Sequence, residues 1–372
     1  MGMINMETKK IAATEQKYKP QFYYLNQKQD QADFIQLQSS AHIQIYDELE
    51  GQLSELIKSL NPSEKISPSE YPERLRKHLN GQPIFEYGVW VYYPWSHKLV
   101  HLLDEDEFIE VRTNRNRNKI TREEQAELKT KSIGIIGLSV GQSIALTMAM
   151  ERTCGELRLA DFDTAELSNL NRLRTGVHNL GLKKTIIAAR EIAEIDPFIS
   201  VKIYNKGLSE ENMDDFFLYG GKLDLLVEVC DGLDIKVKSR LKARELQIPV
   251  VMDTNDRGML DIERFDLESD RPILHGLLGP VNPEEIAGLS NEDKMHLIMR
   301  IIGSETISER LKKSIPELGK TLNSLPQLAS SVVLGGAIST DAARRILLNQ
   351  FTSSGRFYVD TEEIIKEDLI VV

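Results

Sequence analysis

The stretch from Ala160 to Arg172, ADFDTAELSNLNR, puts Asp161, Asp163 and Arg172 in one short loop after a predicted strand. Glu156 to Asp161 alternates apolar and polar residues as a strand does. Asp161 therefore stands at the strand's carboxyl end, where open α/β sheets bind ligands. A carboxylate there can accept both hydroxyls of a ribose. Asn169 and Arg172 follow at a spacing that lets both turn toward a phosphate, the arginine through its bidentate fork. Taken alone, the loop reads equally well as a solvated segment of mixed charge.

The elements needed to position such a loop lie on either side of it. Upstream, Ser132-Ile133-Gly134-Ile135-Ile136 is an apolar strand that runs through Gly137-Leu138-Ser139-Val140-Gly141 into the helix Ile144 to Met150. Strand, tight turn and helix make the first unit of a Rossmann-like fold, and the free N–H groups at the helix start form an anion site. Downstream, Gly181-Leu182-Lys183-Lys184 opens a helix predicted over 183–195. The nearly continuous apolar run Leu223 to Cys230 reads as a buried parallel strand ending at Asp231.

In this order and spacing, residues 110–260 resemble the adenylating domain of the E1-like superfamily, the ThiF and MoeB type. The motifs that carry the resemblance are the glycine turn at Gly137, the Asp161 to Asp163 loop, Ser168-Asn169-Leu170-Asn171-Arg172, the Gly181 to Lys184 segment and Val227-Glu228-Val229-Cys230-Asp231. The entry segment Arg112-Thr113-Asn114-Arg115-Asn116 also fits. The implied fold is α/β, a Rossmann-like three-layer arrangement with a mainly parallel central sheet, plus a small N-terminal α+β region. The implied activity is ATP-dependent adenylylation of a carboxyl group, for which the C-terminus of a small protein or peptide is one candidate, with release of pyrophosphate.

Roles follow residue by residue from the resemblance. Asp161 would hold the ribose, Arg172 and Lys184 would neutralise the triphosphate, and Gly137, Ser139, Gly141, Asp163 and Asn169 would complete the nucleotide site. Asp231 would hold Mg²⁺, or else cap the helix expected from Asp234. Arg115 resembles an arginine that family dimers insert into the partner's site, which implies a homodimer; a plain basic surface is the other reading of that segment. Lys184, on a helix with a packed apolar face, has solvated charge as its alternative.

The departures matter as well. Where the family has Gly-x-Gly-Gly-x-Gly, this chain has Ser139 and Val140 at the second and third glycines and Gln142 at the last. A β-branched Val140 resists positive φ. Nucleotide binding is therefore expected to be altered, weakened or lost unless Gly141 restores the turn by a shift of one position. Gly232 stands where Asn is common. The two cysteines, Cys154 and Cys230, form no Cys-x-x-Cys pair, so no zinc is expected, and no cysteine follows Asp231 to capture the activated acyl group. Two other readings stay open: a tRNA-modifying E1-like dehydratase, and an inactive nucleotide- or partner-binding scaffold.

Composition bounds the partners. A net charge of −11 and a pI of 5.3 disfavour broad nucleic-acid binding, and the absence of a long apolar run or signal-like start points to a cytoplasmic protein without a membrane span. Residues 1–20 are expected to be disordered and 21–110 to form an accessory region. Residues 111–372 are expected to form the adenylating domain, with a nucleotide half to about 260 and a variable substrate or dimer half beyond. In the accessory region, Ile43 to Leu60 has helical periodicity. The aromatic segment Pro83 to Val100 reads as a packed hairpin or a partner surface.

Overall fold

The computed structural model describes residues 17–366 except 41, 280–282 and 304. The expectation for residues 1–16 lies outside the described residues. The chain divides into two compact units, residues 1–123 with 196–198, and residues 124–195 with 199–372.

The first unit is α+β. It runs β1 (Gln21–Tyr23), α1 (Lys28–Gln38), β2 (Gln44–Asp47), α2 (Leu49–Leu60), α3 (Tyr71–Leu79), β3 (Val89–Tyr93), β4 (Lys98–Leu102) and α4 (Glu105–Arg112), with sheet order β1-β3-β4-β2. Helical periodicity over Ile43 to Leu60 misassigned its first residues: Gln44–Asp47 pairs in parallel with Lys98–His101, and the helix begins at Leu49. Short apolar runs do not distinguish the two states. The aromatic segment is a hairpin whose Trp90, Tyr92 and Tyr93 are buried, with Trp90 stacked on His101 at 4.1 Å. His101 is fully buried, its ring nitrogens placed against Asp47 Oδ1 at 2.9 Å and the Tyr87 carbonyl at 2.7 Å.

After α5 (Arg122–Leu128), the second unit runs β5 (Ser132–Ile136), α6 (Gly141–Glu151), β6 (Glu156–Ala160), α7 (Lys184–Ile195), β7 (Ser200–Tyr204), α8 (Glu210–Leu218), β8 (Leu225–Glu228), α9 (Leu233–Glu245), β9 (Val250–Asp253) and β10 (Met259–Glu263). It continues through α10 (Pro283–Ala287), α11 (Asn291–Ile302), α12 (Glu309–Ser314), α13 (Ala329–Leu347) and β11 (Gly355–Tyr358). The sheet order is β11-β10-β9-β8-β5-β6-β7. Strands β9, β8, β5, β6 and β7 are parallel, and β10 and β11 add antiparallel pairs at one edge.

Alternation along the parallel strands makes the three layers. Gly134, Leu226 and Met252 face α8 and α9: a Cβ on Gly134 would lie 2.8 Å from Phe216, and Met252 Sδ lies 3.6 Å from Lys236 Nζ. Ile135, Val229 and Asp253 face the other way, toward α6 and α13. Helix α12 starts at Glu309, because the Ser308 hydroxyl accepts the Leu311 N–H at 3.2 Å and sets the N-cap there.

Candidate functional site

The chain passes from β5 to β6 and β7 on one side, then returns to β8 and β9 on the other. Its topological switch therefore lies between β5 and β8, and the crevice at the carboxyl ends there is the default ligand site of such sheets. Gly137 sits at that point with φ +90°, and a Cβ on it would meet Val229 O at 2.8 Å and Cys230 N at 2.9 Å. Only glycine fits. Val140, by contrast, has φ −102° and ψ −42°, so the expected conflict with positive φ does not arise: the turn bends at Gly137 alone. Gly141 opens α6, where a Cβ would lie 2.8 Å from Ile135 Cγ2, so this glycine lets the helix close on the sheet.

Asp161 binds the turn to the acidic loop. Its Oδ2 accepts the Leu138 N–H at 2.6 Å and its Oδ1 the Asp163 N–H at 2.7 Å. Burial pushes its carboxyl up, against the pull of these amides and of Lys184. Each oxygen keeps a further acceptor site. Lys184, 5% exposed at the start of α7, reaches Asp163 Oδ2 at 2.8 Å, while Lys183 Nζ donates to Phe162 O at 2.6 Å. The Gly-x-x-Lys segment thus folds back onto the acidic loop, and Lys184 is a packed, paired cation rather than a solvated one.

Arg172 leans over the altered turn. Its Nε and Nη2 donate to Ser139 Oγ at 3.1 and 2.9 Å, and its Nη1 donates to Asn171 Oδ1 at 2.9 Å. Burial pulls its guanidinium down, and the charge of Asp231 opposes this. Asp231 is exposed, and the N-cap of α9 is Gly232 without a side-chain bond, so Asp231 is free of the capping role. Asn169 is used locally: its Oδ1 accepts the Glu166 N–H at 3.1 Å and closes the turn Leu167–Asn171. Arg115 lies exposed on the turn Asn114–Asn116 of the first unit, so the structure groups it with the other unit rather than with these residues.

Beneath Asp231, the buried Glu228 accepts the Cys230 N–H at 2.9 Å and pairs with Lys236 at 2.8 Å and with Arg240. Burial, then Glu228, push the Cys230 thiol up, so it stays protonated and packs. Among the described residues no three His, Cys, Asp or Glu side chains gather as a ready metal site. A lone exposed carboxylate suits Mg²⁺, which keeps several waters and arrives with phosphate oxygens.

Sequence reasoning missed three residues. Gln142 is buried and bonds the backbone of Arg174 and the side chain of Glu191. Glu191 is pushed up to about 8, first by burial and then by Glu194. Asp253, 4% exposed at the carboxyl end of β9, has an unpartnered Oδ2, and burial pushes it up to about 7. Between pH 4.5 and 8 the native Glu191 binds a proton that the unfolded chain has released, so raising the pH favours unfolding. Folding stability should therefore fall by on the order of 1–3 kcal/mol across that window, and Glu191→Gln should flatten the slope. Urea denaturation at a series of pH values measures it, and an equal slope in the variant would refute the assignment.

Residues 113–317, more than half of the chain, match the ThiF family. The chain belongs to that family. The ThiF segment contains the whole switch region, from the glycine turn to Asp253. Similar curated proteins include an uncharacterized protein of Mycobacterium tuberculosis, 46% identical over 73% of this chain and 38% of the relative. Ubiquitin-like modifier-activating enzyme 5 of Bombyx mori is 27% identical over 32% of the chain and 33% of the enzyme. A tRNA threonylcarbamoyladenosine dehydratase of Bacillus subtilis is 25% identical over 41% of the chain and 60% of the enzyme. This ThiF-family chain thus spans less than two thirds of the length of each. No helix among the described residues is long and apolar enough to cross a membrane.

Proposed function

We propose that the chain binds ATP with Mg²⁺ and transfers AMP to a carboxyl group. The observation that carries this reading is the convergence of Arg172, Lys184, Asp161 and the exposed Asp231 on the crevice at Gly137. Asp161 would take the ribose hydroxyls, and Arg172 and Lys184 the phosphates. Asp231 would hold the metal, which lowers the charge met by an incoming anion. A carboxylate oxygen of the substrate attacks the α-phosphorus, the bond to the bridging oxygen breaks, and pyrophosphate leaves with the electron pair. No proton moves in that step, so the residues act by positioning and by neutralising charge.

A modifier-activating enzyme among the relatives favours a protein or peptide carboxyl. In the same reading the assembly is a homodimer with Arg115 serving the partner's site. The dehydratase relative supports a second reading, in which the activated carboxyl belongs to a modified tRNA. ATP–pyrophosphate exchange tests the common step. Exchange that depends on candidate C-terminal peptides supports the first reading and exchange that depends on tRNA the second. Failure of the wild-type chain to bind ATP–Mg²⁺ at millimolar concentration would favour the scaffold reading and remove both.

A further inference from the structure

Two of the three residues that break the family's glycine pattern hold Arg172, Ser139 directly and Gln142 through the backbone of Arg174. Gln142 stands where the last glycine is expected and is 2% exposed. Its Oε1 accepts the Arg174 N–H at 2.9 Å, while its Nε2 donates to the Arg174 carbonyl at 3.0 Å and to Glu191 Oε2 at 2.7 Å. A side chain that takes both backbone groups of one residue fixes that residue as a strand partner would. The clamp lies two positions past Arg172, and Leu173 between them is buried against Ala165 and Ile187. Arg172 therefore leaves a rigid base.

Ser139, where the second glycine is expected, completes the arrangement. Its oxygen accepts two guanidinium N–H groups of Arg172, which leaves the hydroxyl proton to donate elsewhere. A family turn that offers bare backbone has here a serine hydroxyl and an arginine locked to it. We infer that Ser139 and Gln142 convert the glycine turn into a side-chain anion site for the phosphates of a nucleoside triphosphate: Gln142 is a positioning residue, and Ser139 both orients Arg172 and donates to a phosphate oxygen. The inference rests on the nucleotide reading above and gives two of the three replaced glycines a role in the site. Preorganised donors raise affinity because less ordering remains at binding.

The experiment measures ATP–Mg²⁺ and tripolyphosphate binding by calorimetry for the wild type, Ser139→Gly, Ser139→Ala, Ser139→Thr, Gln142→Met and Arg172→Ala, with amide exchange over 172–176 in the free proteins. Restoring the family residue in Ser139→Gly should weaken both ligands about tenfold, as should Ser139→Ala, whereas Ser139→Thr keeps the hydroxyl and should stay within about threefold. In the Arg172→Ala background the effect of Ser139→Ala should shrink. Gln142→Met should speed exchange at 172–176 and weaken both ligands. Ser139→Gly binding as well as the wild type overturns the inference and leaves the nucleotide reading standing. Tripolyphosphate binding that depends on Ser139 without any ATP binding supports the anion site and removes the adenylylation reading.

Discussion

Lys184→Ala should weaken ATP–Mg²⁺ binding about 30- to 100-fold, because two effects act in the same direction. The variant loses a cation that is 5% exposed and already ordered at the start of α7. It also uncovers Asp163, whose carboxylate Lys184 now holds at 2.8 Å, so a bare negative charge would face the triphosphate. Charge-assisted contacts in partly buried sites contribute about 1.5–3 kcal/mol each. Asp163→Asn separates the two contributions: it removes the repulsion while keeping the lysine, and should bind ATP at least as well as the wild type. Calorimetry on the two single variants and the double variant decides it. An affinity within threefold of wild type in Lys184→Ala would show that the phosphates lie elsewhere.

Gly335→Ala should destabilise the second unit by about 2–4 kcal/mol although alanine is the better helix former by about 1 kcal/mol. The ideal Cβ falls 2.1 Å from Asp253 Oδ2 and 2.6 Å from its Cγ. Neither partner can yield easily. Asp253 is 4% exposed at the end of a buried strand, and the neighbouring Gly336 already brings α13 so close to α6 that its own Cβ would lie 2.6 Å from Ser143 Oγ and 3.0 Å from Ser143 O. Asp253→Ala should recover most of the loss in the Gly335→Ala background, so the two changes should be strongly non-additive by urea denaturation. Additive losses would place the strain somewhere other than this contact.

How far the sequence carried depended on the range of each interaction. The strand, turn and helix around Gly137, the Asp161 loop and the Gly-x-x-Lys segment are local patterns, and each was legible as written. The consequence of Val140 was not. Only backbone geometry shows that the bend falls wholly on Gly137 and that Val140 keeps an ordinary negative φ. Gln142 read as a lost glycine because its partner, Arg174, is 32 positions away and offers only backbone. The approach of Asp253 to Gly335 spans an even longer separation, and nothing in either local window announces it. Gln44–Asp47 falls inside a helical pattern because four residues carry too little periodicity to separate strand from helix, and its parallel partner in β4, Lys98–His101, lies 54 residues on.

The switch between β5 and β8 also governs how the molecule can come into being. These neighbours pair in parallel, Ile133 with Leu225 through Ile136 with Glu228, with β6, β7 and three helices emerging between them in the chain. Closing so long a loop costs entropy before any contact repays it, so this pairing belongs to the slow part of folding. Gly137 meets Val229 and Cys230 only once it has formed. A nascent chain released at about residue 200 would carry the glycine turn, the acidic loop and both lysines, yet lack the wall that gives the turn its shape. Ligand competence should therefore mark completion of the fold, and its recovery during refolding should coincide with the slowest phase.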